Sequence, residues 1–312
     1  MVLTKYLGRM GGLCVLALVM ALAGCASLAP ETPATPQTPA VTPPDPPPVL
    51  TRPPRLGLAL GGGAARGFAH IGVIQELERV GIRPDLVVGT SAGSLVAALY
   101  ASGKPGSELE RLALQMHEAE IADWSLPILG RGLLRGEALT RYVRRAVDGR
   151  LIENMALPLG VLATDLKTGR GVLFRRGDTA LAVRASSAVP GVFSPVKIGD
   201  TEFVDGGLVA PVPVRQAREM GAEVVLAIDI SSVPEANSAS GGLQVLLQTF
   251  AIMGQSINRH ELTGADLVVH PALDGMGGAD FSVRQRAIDA GRQAMRAAMP
   301  QLLALMARRV PL

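Results

Sequence analysis

Cysteine is almost absent from this 312-residue sequence, which contains only Cys14 and Cys25. The chain after position 25 therefore needs no disulfide, so its cysteine content does not restrict the redox compartment. Aromatic residues make up 3% of the sequence, and core packing must depend on Ala, Val, Leu and Ile. The net charge is only +3, and no cluster of Lys and Arg is interleaved with aromatic residues. Nucleic-acid binding thus has little support.

The N-terminus has the pattern of a lipoprotein signal peptide. Lys5 and Arg9 precede an apolar run over residues 10–23, which is short for a membrane-spanning helix. The run ends in Leu-Ala-Gly-Cys, which matches a bacterial lipobox and predicts that residues 1–24 are removed and that Cys25 is lipidated. A plain secretory signal and a transmembrane anchor are the alternatives.

Within residues 25–54, the stretch over 30–54 is dominated by proline and threonine and cannot build a core. An extended polyproline conformation at about 3 Å per residue would let this segment span roughly 70 Å. We therefore expect a tether between a membrane anchor at Cys25 and a folded domain over residues 55–312. Because Ala26 rather than Asp follows the cysteine, the expected location is the bacterial cell envelope, at the periplasmic face of the outer membrane.

The stretch from Leu86 to Leu99 predicts a strand, a sharp turn and a helix. Its turn, Gly89-Thr90-Ser91-Ala92-Gly93, has the Gly-x-Ser-x-Gly pattern in which small residues allow a tight bend that exposes the serine hydroxyl. The helix would direct free N–H groups and the positive end of its dipole toward negative charge that forms near Ser91. The simpler alternative is a glycine-bounded turn without chemistry.

A second strand, loop and helix lie upstream. A strand over 56–60 precedes the loop Gly61-Gly62-Gly63-Ala64-Ala65-Arg66-Gly67, and a helix is predicted over 68–79. A loop without bulky side chains lets a substrate reach backbone N–H groups that could hold an oxyanion. Its spacing argues against a nucleotide site, since it lacks the Gly-Lys-Ser/Thr ending of a P-loop and has Arg66 where a dinucleotide fingerprint needs its third glycine.

A third turn contains Asp205, which follows an apolar pair and precedes Gly206 and Gly207. An Asp in such a position is usually a turn former. None of the four histidines lies in a comparable glycine-bounded turn, and no cluster of His, Cys and carboxylates has metal-ligand spacing. His270 follows Asp205 at the end of a predicted strand, so a Ser-Asp-His triad stays open.

These three motifs, in this order, resemble the patatin-like phospholipase family and are similar to its neuropathy target esterase-like branch. The segment over residues 185–195 also resembles one that the family carries before its aspartate, and the resemblance covers about residues 56–230. It implies a Ser-Asp dyad, with Ser91 as nucleophile and Asp205 as base. It further implies an oxyanion hole in the glycine loop, no cofactor, and a lipid acyl ester as substrate.

Within that resemblance, we expect the N–H groups of Gly62, Gly63 and Ala92 to hold the oxyanion. Arg66 would orient the loop or meet a lipid phosphate, and His70 would hold the loop by packing or hydrogen bonding. Asp165 ends a predicted strand and is expected to act as a cap.

The alternation of strands and helices itself favours a three-layer α/β/α fold with a mostly parallel sheet, in which strands 56–60 and 86–88 pair in parallel. An apolar stretch over residues 124–129 is a candidate lid or lipid-facing loop, or an ordinary packed connection. A phosphate-binding protein and an envelope scaffold remain as alternative functions. The other predicted strands are 159–164, 171–174, 223–230 and 267–270, and the other predicted helices are 107–118, 136–147, 211–220, 242–262 and 283–308.

Overall fold

The structure, a computed structural model, describes residues 51–116, 132–232, 241–277 and 280–311. The signal peptide, Cys25, almost all of the tether and the candidate lid over 124–129 lie outside the described residues and stay predictions. Residues Val49–Leu312 form one compact unit. All described helices, strands and core clusters belong to that unit, so we expect it to fold by itself.

The described strands are β1 (Thr51–Arg52), β2 (Leu56–Leu60), β3 (Leu86–Thr90), β4 (Gly132–Leu134), β5 (Leu159–Asp165), β6 (Gly171–Phe174), β7 (Gly191–Phe193), β8 (Val196–Ile198), β9 (Thr201–Asp205), β10 (Val224–Ile228), β11 (Leu267–Val269) and β12 (Val310–Pro311). The described α-helices are α1 (Ala69–Arg79), α2 (Ala92–Ala101), α3 (Gly106–Gln115), α4 (Glu137–Ala146), α5 (Thr179–Ser186), α6 (Val214–Glu219), α7 (Gly242–Glu261) and α8 (Arg284–Met306). No described helix combines the length and apolar character needed to cross a membrane.

An eight-stranded sheet forms the centre of the unit, in the order β11-β10-β2-β3-β5-β9-β8, with β6 also paired to β5. Neighbours from β11 to β5 are parallel, whereas β6, β8 and β9 pair antiparallel. The sheet is therefore mostly parallel, as predicted, and the expected parallel pairing of β2 with β3 is confirmed.

Helices cover both faces of this sheet. Along β2, Leu58 and Leu60 point into a large core cluster that includes residues of α1, α2 and α8, while Ala59 points into a smaller cluster with α6. Successive strand residues face opposite sides, so a strand buried on both faces requires cover on both. The three-layer α/β/α arrangement predicted from the sequence is confirmed.

Two helices differ from the sequence prediction. The helix expected over 211–220 is confined to α6. Pro213 occupies the N-cap, and its ring disfavours the helical conformation of the preceding residue, Val212. Helix α5 was not predicted at all, although its start carries a recognisable signal: the Asp178 side chain accepts a hydrogen bond from the N–H of Leu181 at 2.9 Å.

Candidate active site

Ser91 sits in the sharp turn between β3 and α2 that the sequence predicted. Its backbone angles, φ 53° and ψ −123°, lie in a region that non-glycine residues rarely adopt. The two flanking glycines are required by close approach: a Cβ on Gly89 would lie 2.4 Å from the Gly93 carbonyl oxygen, and one on Gly93 would lie 2.2 Å from that of Leu60. Only glycine therefore fits at the two positions that flank the strained turn.

Strand β5 brings Asp205 to this turn. Leu162 pairs with Thr90, the residue before Ser91, and the next residue of β5, Ala163, pairs with Asp205 at the end of β9. Strand β9 runs antiparallel to β5. Asp205 therefore reaches the serine from the opposite direction, and β5 fixes the distance between them.

The Asp205 carboxyl group is buried, with 6% of the residue exposed. Its Oδ1 accepts a hydrogen bond from the N–H of Gly207 at 2.7 Å. No described group donates a well-aligned hydrogen bond to its buried Oδ2, although the Ser91 hydroxyl is close enough to interact with the carboxyl group. Burial raises the pKa of Asp205 from 3.8 to about 6, and the contacts with Ser91 and Gly207 oppose part of that rise.

The backbone of Asp205 is held as firmly as its side chain. Its N–H donates to the carbonyl of Ala188 at 3.0 Å, and its carbonyl accepts from the Thr164 hydroxyl at 2.8 Å. Gly206 packs directly on β5, since a Cβ there would lie 2.2 Å from the Leu162 carbonyl oxygen. The Asp-Gly-Gly motif thus fixes both the Asp205 carboxyl group and the course of its backbone beside β5.

The glycine loop runs against the serine, and a Cβ on Gly62 would lie 3.1 Å from the Ser91 Cβ. One expectation about its donors is corrected. The N–H of Gly62 donates to the Pro211 carbonyl at 2.9 Å, as that of Gly61 does to Ile228 at 3.1 Å, so neither is available to an oxyanion. In the described part of the chain, the N–H groups of Gly63 and Ala92 have no acceptor.

His70 and Arg66 hold the loop from its helical side. The His70 ring is fully buried, and its Nε2 lies 2.8 Å from the carbonyl oxygen of Gly61. Because a carbonyl only accepts, Nε2 donates; burial lowers the pKa of His70 to about 4, which keeps the ring neutral. The N–H of Arg66 donates to the Gly63 carbonyl at 3.2 Å. The expectation that His70 holds the loop by a hydrogen bond agrees with this geometry.

Sequence reasoning missed Ser186, at the end of α5. Its buried hydroxyl donates to the Leu162 carbonyl at 2.5 Å and accepts the N–H of Ser91 at 2.9 Å. One side chain therefore ties the strained turn to β5. It lies within the segment over 185–195 that resembles the family, which was the available signal.

Replacing Ser186 with alanine should lower kcat about tenfold to a hundredfold while KM changes little, because the Ser91 N–H and the Leu162 carbonyl lose their partner and the turn can shift. We expect the free energy of unfolding to fall by about 1–3 kcal/mol. Steady-state kinetics on a soluble ester and denaturant unfolding would measure both. Ser187→Ala, at the neighbouring position, is the matched control; equal kinetics in the two variants would show that Ser186 does not position Ser91.

His270 does not join this site. It follows β11, three strands from β3, which corresponds to about 14 Å at ordinary strand spacing. Its Nδ1 lies 3.5 Å from Asp229 Oδ2, and 60% of its side chain is exposed. The open Ser-Asp-His triad with Asp205 is therefore not formed by this residue. Asp165, as expected, caps a turn, accepting hydrogen bonds from the N–H groups of Lys167 and Thr168.

Among the described residues, no group of three or more His, Cys, Asp or Glu side chains is arranged to hold a metal ion. The chemically distinctive feature is a strained serine at a strand-to-helix turn beside a buried carboxyl group, which is typical of serine hydrolases. The carboxyl group contacts the serine without an intervening histidine in the described part of the chain.

The family model of patatin-like phospholipase matches residues 58–218, and the chain belongs to this family. An uncharacterised NTE family protein of Mycobacterium tuberculosis is 36% identical over 179 residues, which are 57% of this chain and 49% of that protein. Patatin-like phospholipase domain-containing protein 6 of Mus musculus is 34% identical over 196 residues, 60% of this chain and 14% of its own. The chain thus matches half or less of the length of these relatives.

The fold has a counterpart among solved structures. VipD from Legionella pneumophila superposes with a TM-score of 0.53 and 14% identity, covering 84% of this chain and 69% of its own. At this identity the likeness concerns the fold alone. It agrees with the patatin-like α/β architecture described above.

Proposed function

We propose that the chain is a serine lipid acyl hydrolase that uses a Ser91–Asp205 dyad. The observation that carries the proposal is the contact between a serine in a strained turn and a buried carboxyl group whose pKa burial raises to about 6. A carboxylate with an ordinary pKa near 4 is a poor base toward a hydroxyl group, and the raised value makes Asp205 a better one. Membership of the patatin-like phospholipase family supports a lipid ester as substrate.

The first half-reaction forms an acyl-enzyme. Ser91 Oγ attacks the ester carbonyl carbon while its proton passes to Asp205, and the carbonyl oxygen becomes an oxyanion. The N–H groups of Gly63 and Ala92 are the free donors at the loop and the helix start, and we assign the oxyanion to them. The tetrahedral intermediate then expels the alcohol, which takes the proton from Asp205.

The second half-reaction returns the enzyme to its starting state. Asp205 removes a proton from water, which attacks the acyl carbon of the ester on Ser91. The second oxyanion uses the same two donors, and its collapse releases the fatty acid while Ser91 regains its proton. An acyl chain that fills the site would exclude water and favour the raised pKa of Asp205.

A lipid-like fluorophosphonate tests the proposal directly. We expect the Val49–Leu312 fragment to gain one phosphonyl group on Ser91, with loss of fluoride, and the labelling rate to rise with pH through about 6 as Asp205 ionises. Intact mass and peptide mapping would measure the label, with Ser102→Ala, at the far end of α2, as the matched control that labels normally.

Two results would contradict the proposal. One is the absence of labelling in a folded fragment with detergent present, which would favour the phosphate-binding or scaffold alternatives. The other is a label on a residue other than Ser91. A rate that does not change between pH 5 and pH 8 would contradict the role of Asp205 as base.

A further inference from the structure

Helix α7 exposes an unusual amount of apolar surface. Apolar side chains normally cover one face of a helix and face the core, yet five large ones on α7 are exposed: Leu243, Val245, Leu247, Ile252 and Met253. Val245 and Ile252 are each 52% exposed. Several large exposed apolar side chains on one helix are typical of a contact with another molecule or with a membrane.

Uncharged polar residues accompany the apolar ones on α7. Gln244, Gln248 and Gln255 fall within about 40° of one another at 3.6 residues per turn. Thr249 and Ser256 are exposed beside Val245 and Ile252, and apolar residues occupy most of the remaining circumference. The helix carries no charged residue before Arg259. An uncharged apolar face can enter the hydrocarbon boundary of a lipid layer without removing charge from water.

The same helix borders the candidate active site. Near its start, Leu246 packs on Gly191, where a Cβ would lie 2.8 Å from the leucine Cδ2. Farther along, Gly254 packs on Pro211, whose carbonyl accepts the N–H of Gly62. The helix also packs against the turn Gly206–Leu208, which follows Asp205. Helix α7 therefore packs beside the residues that hold the dyad and the glycine loop, while Val245 and Ile252 lie on its outer side.

We propose that α7 docks the domain on a lipid bilayer and brings the site to esters held in that layer. This rests on the proposed function, since a lipid acyl ester is presented at a bilayer surface. The tether predicted from the sequence would keep the domain within roughly 70 Å of the membrane that carries its anchor. Because α7 carries no charge before Arg259, we expect docking through apolar burial, with little dependence on anionic lipid or salt.

The test uses the Val49–Leu312 fragment, which lacks the predicted anchor, and vesicles of pure phosphatidylcholine. We expect wild type to sediment with the vesicles at low and high salt. The double variant Val245→Gln with Ile252→Gln should bind the vesicles at least about tenfold more weakly, because two apolar side chains that would be buried in the lipid layer are replaced by polar ones. Its turnover of vesicle phospholipid should fall by a similar factor, while its turnover of a soluble short-chain ester stays at the wild-type level.

The matched control is Leu114→Gln with Leu303→Gln, which removes two leucines of similar exposure from α3 and α8; it should bind and react as wild type does. Equal vesicle binding by the α7 variant and wild type would overturn the proposal. So would light scattering that shows a wild-type dimer and a monomeric α7 variant, because a second copy would then cover the face. Vesicle binding without hydrolysis of either ester would contradict the proposed function and leave the docking role supported.

Discussion

Ser91→Ala should reduce kcat on a soluble ester by roughly 10⁴-fold or more, because no other group can form the acyl-enzyme. The fold should be retained, since alanine meets the same backbone strain at this turn as serine does. Loss of the hydroxyl contact also removes one of the two interactions that oppose the raised pKa of Asp205. Steady-state kinetics and thermal unfolding would measure the two effects separately.

The control for this variant is Ser102→Ala, which removes a serine hydroxyl from the other end of α2, where it donates to the Leu99 carbonyl. It should keep its turnover. If Ser91→Ala were to retain turnover above a few per cent of wild type, after mass spectrometry had excluded contaminating wild-type protein, Ser91 would not be the nucleophile.

Asp205→Asn should lose roughly 10³-fold or more in kcat and should also make the domain more stable at neutral pH. The carboxyl group has a folded pKa of about 6, above its ordinary value of 3.8. Between those values the folded state holds more protons than the unfolded state, so the stability of wild type falls as pH rises through this window. The resulting loss in the wild-type free energy of unfolding amounts to up to about 3 kcal/mol above pH 6.

Asparagine does not titrate, and its carbonyl oxygen can still accept the Gly207 N–H. The variant should therefore match wild type near pH 4 and exceed it in unfolding free energy at pH 8, as measured by denaturant unfolding at both values. Asp165→Asn is the control, and its change in stability at pH 8 should have the opposite sign. Turn contacts with Thr168 and Lys167 lower the pKa of Asp165, so its ionised form stabilises the fold. A stability gain at pH 8 in the Asp165 variant, or none in the Asp205 variant, would contradict the explanation.

Local features of the site could be predicted from the sequence because they depend on neighbouring residues. The glycines around Ser91 are required by contacts within a few residues of the turn and with the adjacent loop, and Gly-x-Ser-x-Gly encodes that bend directly. Helix α6 shows the limit of the same reasoning. Its apolar pattern suggested a longer helix, whereas Pro213 disfavours the helical conformation of Val212 and so sets where α6 starts.

Availability of backbone donors could not be predicted in the same way. Gly62 and Gly63 are adjacent and chemically identical, yet only the Gly62 N–H is used by Pro211, a residue far along the chain. Ser186 likewise reaches the Ser91 N–H across 95 residues. Such contacts follow from which strands and loops lie side by side, and a single sequence does not specify them.

For this protein, the sequence by itself determined the strand and helix alternation, the serine turn, the glycine loop and the family to which the motifs belong. The tertiary structure decided that Asp205 rather than His270 meets Ser91, that burial raises the pKa of Asp205, and that α7, which packs beside the site, leaves apolar side chains exposed. The physical reason is that turns are fixed by the conformational limits of adjacent residues. Desolvation, strand register and surface exposure are instead properties of chain segments that meet only in the folded state.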